Sequence, residues 1–136
     1  MNYLQALALP GQTVNPLFQM LGIQIESITA ERAILRLPFQ EGFIQGAGVI
    51  AGGIIATLLD EAMAHVAIAN LQEQEGKHTA TIDFSIKYFS AARRDQELIA
   101  SAWIAKKGKR ICFLESEIMA TTHVIAKATA SFLISS

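Results

Sequence analysis

The 136-residue sequence contains a single cysteine, Cys112, so no internal disulfide can form. No group of Cys and His has the spacing of zinc ligands, and no metal site is expected. Charge is sparse, at 17% of residues, and the balance of 11 basic against 12 acidic residues leaves a net charge of −1. A dedicated nucleic-acid binder would carry a basic excess, so that class is excluded. The N-terminus has no Lys or Arg before its leucines, which is not the basic start of an export signal, and a cytoplasmic location is expected. The longest uncharged apolar run, Gly46–Leu59, falls short of the roughly 20 residues a membrane span needs. Extending it would bury Asp60, Glu61 and His65, so it reads as a core helix. Apolar residues nevertheless make up 51% of the chain. That excludes disorder and points to a surface covered by another subunit. The length suits one domain spanning 1–136.

The first 22 residues read as a helical lead-in. Asn15-Pro16 is an N-cap followed by proline at the first helical position, and Gly22 is a helix stop. Two short β-prone runs follow, Ile23–Thr29 and Arg32–Phe39, joined at Ala30-Glu31. Ala51–Asn70 is apolar on nearly every side and predicts a long helix that other structure must wrap. Gly52 and Gly53 suit its first turn, and the polar stretch Leu71–Lys77 ends it. The period then changes to two. Strands are predicted over Thr79–Phe89, Glu97–Lys106, Ile111–Thr121 and Val124–Ile134. Their short connections make the sheet mostly antiparallel. The predicted class is α+β, an antiparallel sheet around one central helix.

Chemistry concentrates at that helix. Its start offers free N–H groups and a dipole that stabilise developing negative charge. Asp60, set among Leu and Ala, needs a partner or a task. Glu61 is adjacent and can meet His65, a pairing that more often satisfies polar groups than performs catalysis. Gly46-x-Gly48-x-x-Ala51 resembles a degenerate dinucleotide fingerprint but lacks the strand before it and the βαβ unit after it. Seven of the 11 basic residues lie between Lys87 and Arg110. They could hold phosphates or simply protect strand edges. Thr79 and Thr81 fall on the polar face of their strand with Asp83 and Ser85. His78 and His123 look superficial, and Cys112 looks like a core thiol. No serine occupies a nucleophile elbow.

These residues resemble the hotdog-fold acyl-CoA thioesterases, in particular the phenylacetic-acid-degradation (PaaI-like) branch. The motif of that family is Asn-x-x-Gly-x-x-His-Gly-Gly with an acidic residue nine positions after the His. Gln45, Gly48, Ala51, Gly52 and Gly53 occupy those places, and Asp60 is nine after Ala51. Thr81–Phe84 with Tyr88–Ser90, and Lys107–Arg110 at a hairpin, extend the likeness over about residues 15 to 134. The resemblance implies hydrolysis of an aromatic or short- to medium-chain acyl-CoA. Asp60 would be nucleophile or general base, and Gly52 and Gly53 backbone donors to the thioester carbonyl. Gln45 would orient carbonyl or water, and Thr81 would hold water from the other subunit. No cofactor is implied, since CoA belongs to the substrate. Lys106, Lys107, Lys109 and Arg110 would meet its phosphates, with Ala51 and Phe84 also against the substrate. Phe39, Phe43 and Met63 would help shape the pocket with Phe84. The family places its sites at the interface of a homodimer, often within a tetramer. Ala51 replaces the usual His and Gln45 the usual Asn. The first change removes a polar group, while the second keeps the amide one methylene further out. The His-dependent hotdog dehydratases therefore fit poorly. A non-catalytic acyl-CoA or small-ligand binding dimer is the alternative.

Overall fold

The computed structural model describes residues 1–71 and 76–135; the stretch 72–75, read above as part of the helix end, lies outside them. Two short helices lead in, α1 (Tyr3–Leu7) and α2 (Pro16–Leu21). The Asn15 side chain accepts from the Phe18 N–H at 3.2 Å, and Gly22 closes α2 at φ +74°. That left-handed conformation costs glycine little. Strands β1 (Gln24–Ile28) and β2 (Arg32–Leu37) form a hairpin, and helix α3 (Gly52–Ala69) follows. Strands β3 (His78–Tyr88), β4 (Leu98–Lys107), β5 (Ile111–Ala120) and β6 (His123–Ser135) complete the chain. Each predicted element is present, with ends shifted by one or two residues.

The six strands form one sheet in the order β1-β2-β4-β5-β6-β3, every neighbouring pair antiparallel. β3 is thus not the neighbour of β4. The chain leaves β3 at one edge and crosses to β4 in the interior of the sheet. α3 lies across the concave face, and it packs closely because the strands beneath it are lined with small side chains. Ala100 and Ala102 on β4 and Ala126, Ala128 and Ala130 on β6 are buried under it. Leu58, Leu59 and Met63 fill the space above them, each fully buried. Interiors packed at crystal-like density leave little slack for changes of volume. α3 is long and apolar enough by composition to cross a membrane, but its buried stripe is taken up by this sheet.

β3 departs from the simple alternation read in its sequence. Thr81 pairs with Phe132 and Asp83 with Ser131, so Ile82 is an extra residue, a β-bulge. Beyond the bulge the faces exchange. Thr81 therefore shares the strand face toward α3 with Phe84 and Ile86, and not that of Asp83 and Ser85, while staying exposed at this edge. Ile82, Tyr88 and neighbouring Phe89 are left 53%, 52% and 57% exposed along this edge.

Leu59→Ala should lower stability by about 2–5 kcal/mol, because it opens a cavity where α3 meets the sheet. Urea unfolding monitored by circular dichroism measures this, and a loss below about 1 kcal/mol would contradict the packing described.

Candidate active site

The start of α3 is held by main-chain bonds from two directions. The Ile50 N–H donates to the Ala92 carbonyl at 2.8 Å, and the Ala51 N–H to the Phe43 carbonyl at 2.8 Å. Ala51 is the N-cap, with extended backbone and no side-chain cap. The N–H groups of Ile54 and Ile55 return to the Ala51 carbonyl at 3.0 and 3.3 Å. Those of Gly52 and Gly53 have no acceptor among the described residues. Two free donors at the positive end of an 18-residue helix make a site for an oxyanion. Tyr88, to which the sequence gave no role in the site, donates from Oη to the Gly52 carbonyl at 2.9 Å. A Cβ on Gly52 would stand 3.3 Å from that oxygen, which favours glycine there. Gln45 Oε1 accepts from the Ala47 N–H of its own turn.

Asp60 lies two turns further along α3, half-buried, with its Oδ1 accepting from Thr81 Oγ1 at 3.1 Å. The bond is made within one chain, whereas the resemblance placed Thr81 in the partner subunit. Burial pushes the Asp60 carboxyl above its ordinary pKa, and the Thr81 bond opposes that shift. No Lys or Arg pairs with Asp60 among the described residues.

Glu61 and His65 do not form a dyad. His65 is buried, and its Nδ1 lies 2.7 Å from the Glu61 main-chain carbonyl, which can only accept. Nδ1 is therefore protonated, and Nε2 accepts from Tyr3 Oη at 2.8 Å. Asn15 Nδ2 donates in turn to Tyr3 Oη at 2.9 Å. The imidazole is fully satisfied in its neutral form, and burial lowers its pKa. Its role is to tie the lead-in to α3. The Glu61 carboxylate stays 3.9 Å from Nδ1, and burial, followed by the charge of Asp60, raises its pKa.

The remaining expected residues are dispersed. Phe84 packs against the core beside Asp60's strand contact, and Met63 is wholly within the core. Lys106, Lys107, Lys109 and Arg110 are exposed at the β4–β5 hairpin. Lys107 Nζ lies 3.4 Å from Asn70 Oδ1, at the C-terminal end of α3. With about 1.5 Å of rise per residue, this is about 15 Å along the axis from Asp60. Gly52 is about 12 Å from Asp60 in the opposite direction. One chain therefore does not bring its helix start, its carboxylate and its basic hairpin together. Among the described residues no cluster of three or more His, Cys, Asp or Glu could hold a metal.

The thioesterase superfamily model matches residues 47–127, and the chain belongs to that superfamily. A Halobacterium salinarum protein provisionally named an esterase is 31% identical over 106 residues, 76% of this chain and 69% of that one. Human acyl-coenzyme A thioesterase 13 is 26% identical over 107 residues, 77% of this chain and 74% of the relative. A phenylacetic acid degradation-related protein from Ralstonia eutropha superposes with a TM-score of 0.86 at 21% identity, covering 97% of this chain and 99% of its own. The sheet curled on one helix is thus the hotdog fold, as the resemblance to the PaaI-like branch implied.

The raised Asp60 pKa has a sign that can be measured. The folded state favours the protonated acid, so this contribution to stability is present at low pH and lost as pH rises through the folded pKa. Asp60→Asn should therefore be at least as stable as wild type at neutral pH. In a carboxyl-carbon NMR titration, Asp60 should titrate above the usual aspartate range, and higher still in Thr81→Val, which removes the opposing hydrogen bond. An unchanged or lower value in Thr81→Val would contradict this assignment.

Proposed function

We propose that the protein hydrolyses acyl-CoA thioesters, of aromatic or short to medium acyl groups, at a site shared by two copies of the chain. The observation that carries this reading is the half-buried carboxylate of Asp60, which pairs with no cation among the described residues, on the same helix as the N–H groups of Gly52 and Gly53, which have no acceptor among them. Because those groups are about 12 Å apart in one chain, one carbonyl takes its donors from one protomer and its carboxylate from the other. The exposed edge of β3, with Ile82, Tyr88 and Phe89, supplies the surface for such a homodimer. The name of the human relative, an acyl-coenzyme A thioesterase, supports the substrate class.

In this mechanism Thr81 occupies Oδ1 of Asp60, leaving the other carboxylate oxygen to take a proton from water. The water oxygen bonds to the thioester carbon as the carbonyl becomes an oxyanion, held by Gly52 and Gly53. Collapse breaks the carbon–sulfur bond, and the departing thiolate recovers the proton from Asp60. The exposed hairpin cations Lys106, Lys107, Lys109 and Arg110 are assigned to the CoA phosphates.

Thiol release from a panel of acyl-CoAs tests this reading. Asp60→Asn should lose about 10²- to 10⁴-fold in kcat with its fold intact. Unchanged turnover in Asp60→Asn would refute the role of Asp60. Ala51, which puts a methyl where the motif of the resembled family has His, favours a second reading, a ligand-binding dimer without turnover. Binding of acyl-CoA without hydrolysis of any thioester would establish that reading instead.

A further inference from the structure

The N–H of Gly53 and the carbonyl of Gly52 belong to one peptide unit, and that carbonyl accepts from Tyr88 Oη at 2.9 Å. A donor on the oxygen draws electron density across the amide, so the N–H on its far side becomes more positive and a stronger donor. The preceding unit is built alike. Gly52 supplies its N–H, and its oxygen, the Ala51 carbonyl, accepts from the N–H groups of Ile54 and Ile55 at 3.0 and 3.3 Å. Those bonds come from the helix itself, whereas the Tyr88 bond reaches the second unit from the sheet. Tyr88 is held in place to give it. It is the last residue of β3 and pairs with Ala126 on β6. Just beyond it the N–H groups of Phe89 and Ser90 donate to the Ile125 carbonyl at 2.8 and 3.2 Å, and Ser90 Oγ donates to the Val124 carbonyl at 2.7 Å. On the helix side, glycine admits the phenol: a Cβ on Gly52 would stand 3.3 Å from Oη and 3.4 Å from Cζ.

We propose that Tyr88 is a positioning residue for thioester hydrolysis: its hydroxyl fixes the plane of the Gly52–Gly53 peptide and strengthens the Gly53 N–H as a donor to the oxyanion. The proposal rests on the thioesterase reading and adds to it a residue outside the helix. The hydroxyl acts through the peptide and does not touch the reacting atoms. A stronger N–H favours the charged oxyanion over the neutral carbonyl of bound substrate, so the effect falls on kcat and not on KM. Tyr88 also lies on the edge assigned above to the dimer, where cover by a second copy would shield its bond from water and strengthen it. Removing an oxyanion donor outright lowers kcat by about 10²- to 10³-fold, and a bond in a chain strengthens its neighbour by about 10–30%. Loss of the Tyr88 hydroxyl should therefore lower kcat by about two- to eightfold.

The experiment compares wild type with Tyr88→Phe, which keeps the ring and removes only the hydroxyl. On the acyl-CoA that wild type hydrolyses fastest, kcat should fall by that factor with KM unchanged. NMR of the free protein gives a readout apart from turnover. The Gly52 carbonyl-carbon and Gly53 amide-nitrogen resonances should move upfield in Tyr88→Phe, and by more than those of the Ala51 carbonyl and Gly52 amide. An unchanged kcat would overturn the proposal. So would a lower kcat with the Gly53 resonance unmoved, which would place the hydroxyl against the substrate itself. A variant that elutes as a smaller species than wild type in size-exclusion chromatography would overturn it too, since the hydroxyl would then serve the β3 edge. A wild type that hydrolyses no thioester removes the thioesterase reading and this role with it, whereas an active wild type with an unaltered Tyr88→Phe removes this role alone.

Discussion

An α-helix has a fixed rise, and in this protein that rise governs the chemistry. Gly52 and Asp60 sit on one rigid element about 12 Å apart, and burial of Leu58, Leu59 and Met63 against the sheet keeps that element from bending or sliding. A thioester carbonyl held by the N–H groups of Gly52 cannot be reached by the carboxylate of the same chain. In the proposed dimer the donors of one copy and the carboxylate of the other meet at one carbonyl. The exposed edge of β3 is the surface proposed for that pairing.

Two local features set the properties of the carboxylate. The alanines of β4 and β6 draw α3 down onto the sheet, and this half-buries Asp60 and raises its pKa. The bulge at Ile82 leaves Thr81 on the strand face toward α3, where its hydroxyl meets Asp60 and partly opposes the effect of burial. Without Thr81 the Asp60 carboxyl would hold its proton more tightly, and a smaller fraction of it would be ionised at a given pH. The Tyr3–His65–Asn15 chain acts elsewhere. It satisfies a buried imidazole and fixes the lead-in against the far half of α3.

Local rules made much of this legible. Asn15-Pro16 and Gly22 marked α2 because caps act within a few residues, and alternation marked β6 because one of its faces is buried throughout. The Gly-Gly start and Asp60 of α3 were legible from spacing and from family resemblance. The features that were missed depend on distant pairing. An inserted residue in β3 preserved the alternating text while exchanging its faces, so Thr81 read as sharing a face with Asp83 and Ser85. Tyr88 reaches Gly52, and Tyr3 reaches His65, only after the chain has folded. Gln45 has the amide expected of a substrate-orienting residue, yet a nearer donor, the Ala47 N–H, takes it up. The placement of β3 beside β6 likewise follows from the sheet as a whole and from no short segment.

The shared site is tested most directly by complementation between two inactive chains. Asp60→Asn removes the carboxylate. Gly52→Pro removes one helix-start N–H at the first helical position, where the extended Ala51 suits a following proline and the Tyr88 side chain must shift to admit the ring. Each variant alone should hydrolyse thioesters poorly. After joint refolding at equal amounts, about half the dimers are mixed and each holds one intact site, so activity should return to about a quarter of wild type. Mixed dimers, demonstrated by affinity tags on each chain, that remain as inactive as the parent variants would contradict a site built from two chains.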